Sequence, residues 1–102
     1  MTVQQVIVTA SIKVKSGMEE RFKEEYLPIV NLTLAEEGCL NYNLYQSQAN
    51  PSIFMLYEKW MSKEILDQHL QMPYMKAISE KASEFLVEPV EINLWEHIDF
   101  VP

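Results

Sequence analysis

The order of hydrophobic periodicities in this 102-residue chain predicts an α+β fold, one sheet of four strands covered by helices on a single face. Three observations carry that expectation. Residues 6–14, 39–47, 53–60 and 90–100 have strand character, three by alternation at a period of two and residues 53–60 by a near-continuous apolar run. Helical spacing fills the gap between the first and second of these segments and the gap between the third and fourth. Only a short turn separates the second from the third, so those two form a hairpin.

In the first strand Val6, Val8, Ala10, Ile12 and Val14 lie on one face, and Ile7, Thr9, Ser11 and Lys13 on the other. Ser16-Gly17-Met18-Glu19 fits a capping box, with Ser16 as N-cap and Glu19 three residues on. The helix that follows reaches about Glu36. Phe22, Tyr26, Ile29, Val30 and Thr33 form its apolar side, and Glu20, Lys23 and Glu24 its wet side. Pro28 removes a donor and crowds the preceding turn, so a kink is expected there. Gly38 supplies a left-handed stop.

In the second strand Leu40, Tyr42 and Leu44 alternate with Asn41, Asn43 and Tyr45, and Gln48-Ala49-Asn50-Pro51-Ser52 is a turn. The third strand, Ile53–Trp60, is apolar on both faces along Ile53-Phe54-Met55-Leu56-Tyr57, the pattern of a strand covered on both sides. Ser62 caps a helix running through Gln71. Pro73 suits the first position of another, to about Leu86, with Tyr74, Met75, Ile78, Ala82 and Phe85 inward and Pro89 as terminator. In the last strand Val90, Ile92, Leu94 and Ile98 share one face, Trp95 and His97 the other. Strand, helix, strand, strand, helix pair, strand is the split βαβ pattern of a ferredoxin-like sandwich. Helices cover one sheet face. The second apolar face of the third strand then needs a second copy of the chain, sheet against sheet, and a homodimer is expected.

Hydrophobic residues make up 48% of the chain and glycines number two, which fits one domain over residues 1–102 with no linker. A net charge of −7, with 15 acidic against 8 basic residues and no basic cluster, argues against nucleic acid or an anionic membrane as partner. Cys39 is the single cysteine, so neither an intrachain disulfide nor a multi-cysteine metal site is expected. No signal-like segment and no apolar run of membrane-spanning length occurs, and the cytoplasm is the expected location.

Candidate chemistry concentrates between Tyr57 and Leu70. Phe54, Leu56, Glu58 and Trp60 share a strand face, so Glu58 is a carboxyl in an apolar row. It is either a base with a raised pKa, or half of a pair with a cross-strand lysine or a turn cap. His69 shares a helix face with Ile65 and Leu66, and either moves protons or is a core histidine bonded to a carbonyl. Trp60 could stack on a flat substrate or serve as core. Tyr42, Tyr26 and Tyr74 carry hydroxyls that could orient a substrate, with a core role as the alternative. His69 and His97 with scattered acids form no spaced metal-ligand set, and no glycine-rich phosphate loop or Rossmann fingerprint occurs, so no cofactor is expected.

Taken together, several segments resemble the antibiotic biosynthesis monooxygenase (ABM) domain family. They are Lys15-Ser16-Gly17 before a helix, Glu37-Gly38-Cys39-Leu40-Asn41-Tyr42 after it, Phe54 to Trp60 running into Asp67-Gln68-His69-Leu70, and the tail around Pro73-Tyr74. The resemblance covers nearly the whole chain and implies a dimeric α+β barrel with a cavity between sheet and helices. Some relatives oxidise quinols or polyphenols with dioxygen, without metal or flavin. By that likeness His69 and Glu58 would handle protons, and Trp60 with Tyr42 or Tyr74 would hold the ring. Haem-degrading relatives use a first-strand asparagine where this chain has Ala10, a departure from their pattern.

Three functions follow as expectations. The first is a cofactor-free monooxygenase on a small quinol or polyphenol. The second is an isomerase or proton-transfer enzyme on a small carbonyl compound, such as a phosphorylated ketone of the autoinducer-2 breakdown type. The third is a non-catalytic dimeric binding protein.

Overall fold

A computed structural model of the chain describes residues 4–98. The elements are β1 (Val6–Lys13), α1 (Glu19–Leu34), β2 (Cys39–Gln46), β3 (Ile53–Trp60), α2 (Lys63–Leu70), α3 (Pro73–Phe85) and β4 (Glu91–Trp95). The four strands form one sheet in the order β2-β3-β1-β4, and every neighbouring pair is antiparallel. This is the ferredoxin-like α+β sandwich that the element order predicts. No helix among the described residues is long and apolar enough to cross a membrane.

Register decides which side chains meet. Tyr42 on β2 lies opposite Glu58 on β3, which lies opposite Val8 on β1, which lies opposite Leu94 on β4. This row crosses the helix-facing side of the sheet. The adjacent row is Leu44, Leu56, Ala10 and Ile92. Phe22 of α1 packs on Phe54 with ring centroids 4.8 Å apart, and Tyr26 and Ile29 continue the same buried stripe. The opposite sheet face carries Ile7, Tyr45, Met55, Tyr57 and Trp95 and has no helix over it.

Several local expectations need correction. The capping box does not form. Gly17 has φ +89°, which ends any helical run at that point, and α1 starts at Glu19 after Met18. Glu19 instead accepts the Gly17 N–H and the Ser52 hydroxyl, tying the helix start to the β2–β3 turn. Pro28 lies inside the unbroken α1 on its exposed side, where water can satisfy the carbonyl left without a donor. Between Cys39 and Asn41 the β2 register shifts by one residue. Leu40 is the extra residue of this bulge and is exposed rather than inward.

β4 stops at Trp95 because β1, its sole neighbour, begins at Val6. Ile98 therefore lies beyond the strand and is exposed, and the final positions of the expected strand, Asp99 and Phe100, fall outside the described residues. On α3 only Phe85 is buried, while Tyr74, Met75, Ile78 and Ala82 are half-buried. That helix packs mainly on α1 and α2 and stands off the sheet, and the gap beneath it is the cavity described next.

Candidate functional site

Gly38 creates the site's corner. Its φ of +89° turns the chain out of α1 into β2, and its carbonyl accepts the Met61 N–H at 2.9 Å, pinning that turn to the end of β3. A Cβ here would lie 2.6 Å from Ile65 Cδ1, so only glycine lets α2 approach this closely. Ser62 fixes the start of α2 by accepting the Ile65 N–H at 3.2 Å. Leu66 and His69 are the residues this helix buries.

The approach brings His69, only 1% exposed, against Glu36 just beyond the end of α1. His69 Nδ1 and Glu36 Oε2 are 2.8 Å apart, and the Tyr74 hydroxyl donates to the same oxygen. Trp60 packs on the imidazole with centroids 4.5 Å apart and planes inclined by 35°. The Tyr42 ring meets His69 edge-on at 5.6 Å. His69 therefore bonds to a carboxyl group rather than to the backbone carbonyl of an ordinary core histidine.

Glu58 is 6% exposed and accepts the Trp60 indole N–H at 3.0 Å. Its partner is thus the indole, not a cross-strand lysine: the residues opposite Glu58 are Val8 on β1 and Tyr42 on β2. Burial pushes the Glu58 carboxyl up to about 7, and the indole bond opposes that rise. The Tyr26 and Tyr42 hydroxyls share a 2.6 Å hydrogen bond in the interior. Burial raises both phenols, Tyr26 to about 12, so neither ionises near neutral pH.

A cavity of about 1040 Å³ lies between the sheet and α2–α3. Tyr26, Tyr42, Glu58 and His69 all line it, four of the six expected site residues in one space. Its walls are otherwise largely apolar, with Ala10, Phe22 and Phe85 among them. Val87, Ile92 and Leu94 line it and are about half exposed or more, so it opens along β4. Lys63 and Lys76 also line it and are exposed, and the Lys63 ammonium is held by Asp67 at 2.5 Å.

Trp60 and Tyr74 do not line the cavity. Trp60 is fully buried behind Glu58 and His69, and Tyr74 sits on the far side of Glu36. Their placement gives them the polar partners of the lining groups to hold, not a substrate ring to stack on. Glu36 is the residue that sequence reasoning passes over. Its available signal is a carboxylate at the end of a helix, where the macrodipole disfavours negative charge. Cys39 is half-buried and its thiol is pushed up to about 11 by burial, the opposite of an activated thiolate. Among the described residues no three His, Cys, Asp or Glu side chains gather as a metal site.

Comparison with known proteins places this geometry. The Escherichia coli (strain K12) protein named "Probable quinol monooxygenase YgiN" is 36% identical, over 79% of this chain and 88% of its own length. An uncharacterized Synechocystis protein, sll1783, is 30% identical over 89% of this chain, which spans 62% of that relative. The crystal structure of a conserved protein from Methanosarcina mazei Go1 superposes with a TM-score of 0.86 at 33% identity, covering 92% of this chain and 93% of the other. Residues 5–81 match the family described as antibiotic biosynthesis monooxygenase, and with these relatives alongside, the chain belongs to that family.

Proposed function

We propose that this protein is a cofactor-independent monooxygenase that oxidises a small quinol or polyphenol-type aromatic with dioxygen, acting as a cytoplasmic homodimer. The observation that carries the reading is the single apolar cavity shared by His69, Glu58 and the Tyr26–Tyr42 hydroxyl pair. A flat aromatic ring fits between apolar walls, and its hydroxyl meets groups that exchange protons. His69 takes the phenolic proton. The phenolate so formed is electron-rich enough to reduce dioxygen, forming a ring peroxide. Loss of water from that peroxide gives the hydroxyquinone, so one quinol and one dioxygen yield one hydroxyquinone and one water. Glu58, near half-protonated at neutral pH, supplies a proton to the departing oxygen. Ala10, a methyl group in the cavity wall, offers no hydrogen bond where haem-degrading relatives place an asparagine.

Oxygen uptake with a panel of hydroquinones tests the reading. Consumption above the autoxidation rate, lost in His69→Ala, is expected. Consumption at the autoxidation rate for every quinol, or an unchanged rate in His69→Ala, overturns it. The homodimer rests on the uncovered sheet face bearing Ile7, Met55, Tyr57 and Trp95, and light scattering at micromolar concentration is expected to give twice the chain mass.

A second reading, proton transfer on a small phosphorylated ketone, draws its support from Lys76 at the cavity edge, a cation suited to a phosphate. Deuterium exchange next to a carbonyl without oxygen demand separates it from the first. A non-catalytic binding role fits a cavity lined by hydrocarbon alone, and Glu58 and His69 in the lining remove that support.

A further inference from the structure

We propose that Glu36 is the positioning residue of this site, an ionised carboxylate that holds His69 in the Nδ1–H form, with Tyr74 as the second donor that fixes the carboxylate. The proposal deepens the proton-transfer reading of His69 and rests on it. One oxygen, Glu36 Oε2, faces both the Tyr74 hydroxyl and His69 Nδ1. Tyr74 keeps its proton at neutral pH, since burial and then the Glu36 contact push its phenol up to about 12, and it therefore donates. An oxygen that receives one donor and faces a second ring nitrogen is best satisfied as carboxylate, which only accepts. The proton between Glu36 and His69 then sits on Nδ1, and Nε2 is left as the ring nitrogen that exchanges protons.

This matches how a metal-ligating or triad histidine is set by a carboxylate on its other nitrogen. The difference lies in the anchor. Glu36 follows the end of α1, His69 is on α2 and Tyr74 is in the first turn of α3, so one carboxylate oxygen ties three helices together. Among the described residues no lysine or arginine pairs with Glu36, and its side chain is 9% exposed. A carboxylate at a helix C-terminus is disfavoured by the macrodipole, and two hydrogen-bond donors offset that. Tyr74, absent from the cavity lining, acts through Glu36 and not on the substrate.

The test reads the tautomer directly. Long-range proton–nitrogen NMR correlations on uniformly labelled protein distinguish Nδ1–H from Nε2–H, with His97→Gln assigning the two histidines. Wild type is expected in the Nδ1–H form. In Glu36→Leu no acceptor faces Nδ1, and His69 moves to the Nε2–H form. Glu36→Asp, which keeps the charge, returns His69 to Nδ1–H. With a quinol that wild type oxidises, Glu36→Leu lowers kcat on the order of ten-thousandfold, the loss when a triad histidine is put in the wrong tautomer. Tyr74→Phe lowers kcat while KM stays within about threefold, whereas a substrate-binding tyrosine moves KM. His69 in the Nε2–H form in wild type, or the same tautomer in Glu36→Leu as in wild type, overturns the proposal. The tautomer result stands even where no quinol is turned over, so failure of the monooxygenase reading is distinguishable from failure of the clamp.

Discussion

Replacing Glu58 with glutamine is expected to stabilise the protein at alkaline pH and to do little near pH 5. Glu58 is raised from the ordinary 4.5 to about 7 because the apolar row around it disfavours the charge. The folded state thus holds a proton that the unfolded chain has released, and only between these two values does the difference matter. Where the folded state binds more protons, stability falls as pH rises. The loss begins near 4.5, grows to about 7 and is complete above it. At about 1.4 kcal/mol per pH unit the full cost of ionising the buried carboxyl is about 3 kcal/mol, and about 2 kcal/mol of it develops between pH 5 and pH 8. Glutamine has the same shape, can still accept the Trp60 N–H through its carbonyl, and never ionises. Urea unfolding of wild type and Glu58→Gln at fixed protein concentration, at pH 5 and pH 8, measures the difference. The variant should gain about 2 kcal/mol relative to wild type on going from the lower pH to the higher. A difference that does not change with pH refutes the claim that Glu58 is a desolvated, titrating carboxyl.

Other expectations follow from the same geometry. Trp60→Phe removes the one hydrogen bond that favours the Glu58 carboxylate, so the Glu58 midpoint, followed by carbon NMR of the carboxyl, should rise above its wild-type value of about 7; an unchanged or lower midpoint contradicts the assigned bond. Gly38→Ala should lose about 1–3 kcal/mol in urea unfolding from its left-handed backbone alone. It adds a methyl 2.6 Å from Ile65, so it should also weaken the Nδ1–H preference of His69; wild-type stability would show that the corner tolerates a side chain. Tyr42→Phe leaves the Tyr26 hydroxyl without its 2.6 Å partner and should cost about 1 kcal/mol, read in the same way, with no loss if water replaces that partner.

The fold was legible because three of its strands alternate, the other is a bounded apolar run, and its connections are short. Val8, Ala10 and Ile12 face the helices as their spacing requires, and Ser62 caps α2 as its position suggests. Less was legible where one residue's geometry decides. Gly17 adopts a left-handed turn that delays α1, and the β2 bulge turns Leu40 outward, and neither leaves a trace in periodicity. Strand alternation put Trp60 on the inward face, but it could not say whether inward meant cavity or solid core. Helical spacing gave α3 an inward side without its distance from the sheet, and that distance is what opens the cavity. Glu36 escaped notice because it follows the last periodic residue of α1, where its partners come from two helices more than thirty positions away.

In the proposed reaction one oxygen atom from dioxygen enters a quinol in the cavity beside His69. The most direct measurement supplies dioxygen labelled with the heavy isotope and traps the product by immediate reduction, so that its oxygens no longer exchange with water. One labelled oxygen is expected in each product molecule, the other in water, and no hydrogen peroxide above background. Unlabelled product with peroxide equal to the quinol consumed would make the protein an oxidase and rule out monooxygenation.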